Sequence, residues 1–92
     1  MEYNYLEYYK VFQAFCDENR ILILRMLRDS SCEKSIPDFL EKLKISQSTL
    51  RYHIGILLKS GIVSSFKKGN RTYIYLSKTG AEHAKTLIDD IT

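Results

Sequence analysis

Two short, capped apolar segments with almost nothing between them set the strongest limit on what this chain can fold into. Ser35 opens the first as a helix cap, Pro37 is tolerated in a first turn, and Asp38 stands three residues after the cap as in a capping box. Ile36, Phe39, Leu40 and Leu43 follow at helical spacing over about 36–43 and are expected to point inward. Ser46 caps the second, over about 47–60. Its buried stripe reads as Leu50, Ile54, Leu57 and Leu58, and Gly61 supplies the left-handed residue that helix ends favour. Only Lys44-Ile45 lies between them, a tight turn that fits helix-turn-helix geometry.

The flanking segments complete one domain over residues 1–92. Residues 4–16 read as a helix, with Tyr5, Tyr8, Tyr9, Phe12, Phe15 and Cys16 on one apolar stripe and Leu6 and Val11 off it. A helix apolar on more than one face needs more than one partner, and a second copy of the chain could cover the extra face. Asp17 caps a helix over about 18–29, in which Ile21, Leu22, Leu24, Met26 and Leu27 are apolar and Arg20, Arg25 and Arg28 are interspersed. Residues 30–34 read as a polar loop. Residues 62–67 and 71–76 read as two strands, joined by the hairpin-turn chemistry of Lys68-Gly69-Asn70. Ser77 or Thr79 starts a last helix with Ala81, Ala84, Leu87, Ile88 and Ile91 on one face. The expected fold is mainly α with a small β-hairpin: four helices, two strands and a helix, a winged helix-turn-helix.

A chain of 92 residues buries only about 60–65% of its unfolded surface, so dimerisation is a natural source of further burial. The first and last helices carry the surplus: Tyr5, Tyr8, Tyr9 and Phe12, with Leu87, Ile88 and Ile91, are the expected homodimer interface. No apolar run approaches the roughly 20 residues of a membrane span, and the N-terminus lacks a signal peptide's basic and apolar regions. The expected location is cytoplasmic, with no membrane partner. Two cysteines, Cys16 and Cys32, do not make a disulfide framework and read as reduced, structural thiols.

Charge points to the partner. Residues 1–41 hold five bases against eight acids, and residues 79–92 one base against three acids. Between them, residues 42–78 hold Lys42, Lys44, Arg51, Lys59, Lys67, Lys68, Arg71 and Lys78, eight bases and no acid. A solvated lysine-rich face usually interleaves acids, so an acid-free block of this length indicates a polyanion partner; with a helix-turn-helix and wing, the expected one is double-stranded DNA.

The run Asp17-Glu18-Asn19-Arg20-Ile21-Leu22-Ile23-Leu24 and the run Leu43-Lys44-Ile45-Ser46-Gln47-Ser48-Thr49-Leu50 resemble the ArsR-like family of winged-helix regulators. His53, Leu57-Leu58-Lys59-Ser60-Gly61-Ile62-Val63 and Tyr73-Ile74-Tyr75-Leu76-Ser77 extend the resemblance over about residues 15–80. It implies a homodimeric, sequence-specific transcriptional regulator, expected to be a repressor. Many members bind metals, but their Cys-x-Cys pair falls here on Ser35 and Pro37. Of their His-rich set on the last helix only His83 remains, with Asp89 and Asp90 beyond it. One histidine cannot fill a tetrahedral zinc site, so no metal or cofactor is expected. A helix between Cys16 and Cys32 separates them by about 15–18 Å, which disfavours an intrachain bond and leaves an interchain one open.

In such a fold the start of the second helix of the motif enters the major groove. The expected DNA-binding residues are Ser46, Gln47, Ser48, Arg51 and Tyr52 there, and Lys67, Lys68, Asn70 and Arg71 on the wing. Arginine suits guanine and glutamine suits adenine in direct readout, whereas wing lysines and arginines suit phosphates or the minor groove. Gly55, one turn beyond Arg51, would admit the DNA backbone. His53 is expected in the core as a satisfied structural histidine. The alternative function is a protein-interaction winged helix, which would want an apolar outer face on the recognition helix; this one is polar. The chain is expected not to be an enzyme, since no nucleophile–base pair, phosphate loop or carboxylate pair stands at useful spacing.

Overall fold

The computed structural model describes residues 5–30 and 32–83. Its elements are α1 (Tyr5–Ala14), α2 (Glu18–Ser30), β1 (Lys34–Ser35), α3 (Ile36–Lys42), α4 (Gln47–Ser60), β2 (Val63–Lys68), β3 (Arg71–Leu76) and α5 (Lys78–His83). The helices and hairpin read from sequence are present with ends within two residues, except that the far end of the last helix lies outside the described residues. The addition is β1, in and just after what reads as a loop. Lys34 pairs with Ile74 and Ser35 with Tyr73, giving a three-stranded antiparallel sheet of order β1-β3-β2. A two-residue strand has no alternation to read. No helix among the described residues is long and apolar enough to cross a membrane.

Helices α2 to α5 each start on a side chain that satisfies main-chain donors. Asp17 Oδ1 accepts the Asn19 N–H at 2.8 Å at the head of α2. Asp38 Oδ2 accepts both the N–H and the hydroxyl of Ser35 at 2.9 Å, tying the head of α3 back to β1. These two bonds hold the Asp38 carboxyl below its usual range, and the charges of Lys34 and Arg71 push it the same way. Ser46 Oγ accepts the Thr49 N–H at 3.1 Å and caps α4, which Gly61 closes at a φ of 79°. Ser77 Oγ accepts the Gly80 N–H at 2.8 Å and donates toward the carbonyls of Gly61 and Ile62, fixing the start of α5 against the base of the hairpin.

The core is Ala14, Ile23, Leu24, Leu27, Ile36, Phe39, Leu43, Leu50, Ile54, Leu57, Ile62, Val63 and Ile74. Two expectations about faces need correction. On α1 the residues read as one stripe do not keep to one face: Tyr9 and Phe12 are exposed, while Ala14 is buried and Val11 packs on the core, joined there by Phe15 just past the helix end. At about 100° per residue, positions 11 and 14 share one arc and 9 and 12 the opposite one. On α4 Leu58 is 38% exposed rather than buried. His53, at 5% exposure, closes the other flank of the buried arc.

Buried polar groups join the helices. Arg20 and His53 are 7% and 5% exposed. Arg20 Nε donates to the Gln13 carbonyl at 3.0 Å, and its Nη1 lies 3.0 Å from His53 Nδ1. His53 Nε2 faces Asp17 Oδ1 at 3.8 Å. Because arginine can only donate, Nδ1 is the accepting nitrogen and Nε2 carries the proton. The network ties α1, α2 and α4 together and so fixes the roll of α4.

Candidate nucleic-acid interface

The turn between α3 and α4 lifts the start of α4 out of the body of the protein. With Leu50, His53, Ile54 and Leu57 buried, Ser46, Gln47, Ser48, Arg51 and Tyr52 are all left exposed. Ser46 is occupied as the cap, and its hydroxyl also meets Ser48 Oγ at 3.2 Å and Thr49 Oγ1 at 2.9 Å. Tyr52 is 63% exposed and sets its ring edge-on to His53, with centroids 5.4 Å apart. Gly55 lies further along the same outward side, where an added Cβ meets no atom within 4 Å. The Gln47 amide, oriented as its surroundings require, accepts from Arg51 Nη2 at 3.1 Å and from Nε at 3.3 Å.

The hairpin of β2 and β3 forms the wing. Lys68 and Arg71 are its last paired residues, and Gly69 and Asn70 make the two-residue turn, with Gly69 at a φ of 64°. Lys67, Lys68, Asn70 and Arg71 are exposed. Two like charges directly opposite on a ladder destabilise a hairpin, so the Lys68–Arg71 pair weakens the tip by itself and suits an external anion. None of Arg51, Lys67, Lys68 and Arg71 forms an ion pair with a carboxylate among the described residues. Phe66 stacks on Tyr73 at 5.4 Å and meets Tyr75 at 5.9 Å on one face of the wing.

The recognition helix and the wing converge. Gln47 and Arg51 from α4 and Asn70, Arg71 and Thr72 from the wing line one cleft of about 230 Å³. Ile36, Pro37 and Leu40 of α3 complete it. The sequence pointed to both basic elements but not to this shared cleft, nor to the parts of Pro37 and Thr72 in it. Their adjacency depends on the antiparallel return of β3 past α3.

The remaining candidates are placed as follows. Tyr9 and Phe12 are 60% and 58% exposed on α1. The side chains of Tyr5 and Tyr8, and the whole of Leu87, Ile88 and Ile91, lie outside the described residues, as does the side chain of His83. Cys16 and Cys32 are both free and exposed, so neither packs as the structural thiol expected of it. Among the described residues no three His, Cys, Asp or Glu side chains gather as metal ligands do.

A helix-turn-helix followed by a basic two-stranded wing defines a DNA-binding transcription regulator of the winged-helix class. Residues 17–65 match the bacterial regulatory protein, arsR family. The transcriptional activator HlyU of Vibrio cholerae is 33% identical over 79 residues, 86% of this chain and 71% of that protein. A solved HlyU structure superposes with a TM-score of 0.82 at 29% identity, covering 97% of this chain and 96% of that one. The arsenical resistance operon repressor of Bacillus subtilis is 32% identical over 73 residues, 77% of this chain and 67% of the repressor. A homodimeric winged helix-turn-helix DNA-binding domain from Mycobacterium bovis has the same fold, with a TM-score of 0.80 at 19% identity over 92% of this chain and 77% of that one. The chain belongs to the arsR family of bacterial regulatory proteins.

Proposed function

We propose that this protein is a cytoplasmic, homodimeric repressor that binds a specific DNA site. The single observation that carries the reading is the row of exposed, acid-free residues from Gln47, Ser48, Arg51 and Tyr52 across the cleft to Lys67, Lys68, Asn70 and Arg71. Here α4 enters the major groove and reads bases, while the wing holds phosphates or the minor groove. Residues 1–92 act as one domain in which the first and last helices pair with those of a second copy. Exposed Tyr9 and Phe12 support that arrangement, with Tyr5, Tyr8, Leu87, Ile88 and Ile91 completing the interface. Dimerisation places two recognition helices about 34–36 Å apart, one turn of DNA, so the site is an inverted repeat. A small dimer that covers a promoter represses by occlusion; the B. subtilis relative is named a repressor and the V. cholerae relative an activator.

Selection of bound sequences from random duplex DNA, run at two salt concentrations, tests the reading. The expected result is an inverted repeat with half-sites one turn apart. Recovery of unrelated sequences, or a concentration-independent monomer mass in sedimentation, would overturn it.

A further inference from the structure

Gln47 and Arg51 stand one turn apart on the outer face of α4, and both are exposed. We propose that Gln47 is a positioning residue for Arg51 and not a base reader in its own right, so that the pair reads one guanine. The inference rests on the DNA reading above and deepens it.

The hydrogen-bond inventory decides the matter. A glutamine that reads adenine in the major groove uses its amide oxygen for N6–H and its amide nitrogen for N7 at the same time. The Gln47 oxygen is instead engaged by Arg51, at 3.1 Å from Nη2 and 3.3 Å from Nε. Arg51 has five N–H donors in a planar fork. Gln47 takes the Nε–Nη2 edge and leaves the Nη1–Nη2 edge free, which matches guanine O6 and N7.

A free arginine side chain loses much rotamer freedom on binding, and a side chain already held in place loses less. Gln47 supplies that hold through a neutral acceptor. A carboxylate in its place would orient the fork equally well but would cancel its charge before the DNA arrived. The same cleft is lined by Asn70 and Arg71, so the guanidinium is held where the helix and the wing face one groove edge.

The test uses the selected duplex and its three variants at the base pair whose preference Arg51→Ala relaxes. Affinities are measured for the wild type, Gln47→Met, Gln47→Glu, Arg51→Ala and the double variant Gln47→Met/Arg51→Ala. Thermal melts confirm that each exposed substitution leaves the fold intact. Gln47→Met is expected to lower discrimination for guanine at that pair by about 3–10-fold, the return from one pre-ordered side chain, and to add nothing once Arg51 is alanine. Gln47→Glu is expected to keep the discrimination while weakening every duplex, because the acceptor survives and a negative charge is added. The proposal is overturned if Gln47→Met changes preference at a different base pair, or if its effect and that of Arg51→Ala simply add. If Arg51→Ala moves no duplex either, this face does not read DNA, and the functional reading falls with the pairing.

Discussion

Replacing Arg20 with leucine removes the donor that joins three helices. The guanidinium is 7% exposed and makes two bonds, to the Gln13 carbonyl at the end of α1 and to His53 on α4, each 3.0 Å long. A hydrogen bond from a charged donor is worth about 1.5–3 kcal/mol, and the variant strands a buried imidazole nitrogen, while the Gln13 carbonyl keeps only the Cys16 N–H. Against this stands the cost of burying an arginine, which leucine escapes. The net expectation is a loss of about 3–4 kcal/mol, which for a domain of this size lowers Tm by roughly 12–32 °C. Urea and thermal unfolding followed by circular dichroism give the number. A cycle with His53→Phe should show coupling of about 1–2 kcal/mol between the two side chains. A neutral or stabilising Arg20→Leu would mean that the desolvation cost cancels the bonds. The network would then contribute nothing to the stability of the assembled helices, and the reasoning would be refuted.

Two further perturbations test how α3 and α5 are attached. Asp38 is held below its ordinary carboxyl pKa in the folded protein, so its contribution is complete above an unfolded value of about 4 and fades as pH falls through the lower folded value. Asp38→Asn should cost about 1 kcal/mol at neutral pH, and the gap to wild type should narrow as denaturation midpoints are measured into the acid range; a gap independent of pH would contradict this. At Gly80 an added Cβ overlaps the Ile62 carbonyl, and main chain cannot yield as a side chain can. Gly80→Ala should therefore lower stability by about 1–3 kcal/mol in urea unfolding. Gly55→Ala, in open space on a helix, should raise it by about 0.5–1 kcal/mol. Equal melting of the two variants would show that α5 does not dock where Ser77 and Ile62 hold it.

The sequence made legible whatever is local. Caps at Asp17, Ser46 and Ser77, the stop at Gly61 and the turn at Gly69-Asn70 follow from one residue's own chemistry, and all five are found. The eight bases of the acid-free block are likewise all exposed. The failures concern partners distant in the chain. Strand β1 exists because β3 returns beside it, and two residues hold no pattern of their own. On α1 apolar spacing alone does not say which face meets the core: Ala14 and Val11 fit the space there, and the larger Tyr9 and Phe12 face out. Arg20 is buried because His53 awaits it 33 residues later, a pairing that a periodicity reading of α2 cannot contain. The Gln47–Arg51 contact is compatible with one-turn spacing, but so is glutamine's match to adenine, and spacing alone does not rank the two.

The most direct test of the central claim compares binding isotherms for wild type, Arg51→Ala and Arg71→Ala on the selected duplex and a scrambled one across a salt series. Arg51 projects from the second turn of the recognition helix, so its removal should cost about 1–3 kcal/mol on the selected duplex, little on the scrambled one, and relax the choice of one base. Arg71 lies next to the wing tip, so its removal should weaken both duplexes alike and lower the salt slope by about one. The contradicting result is the reverse assignment, in which Arg51→Ala weakens both duplexes equally and Arg71→Ala erases the preference, or no change in DNA binding from either variant.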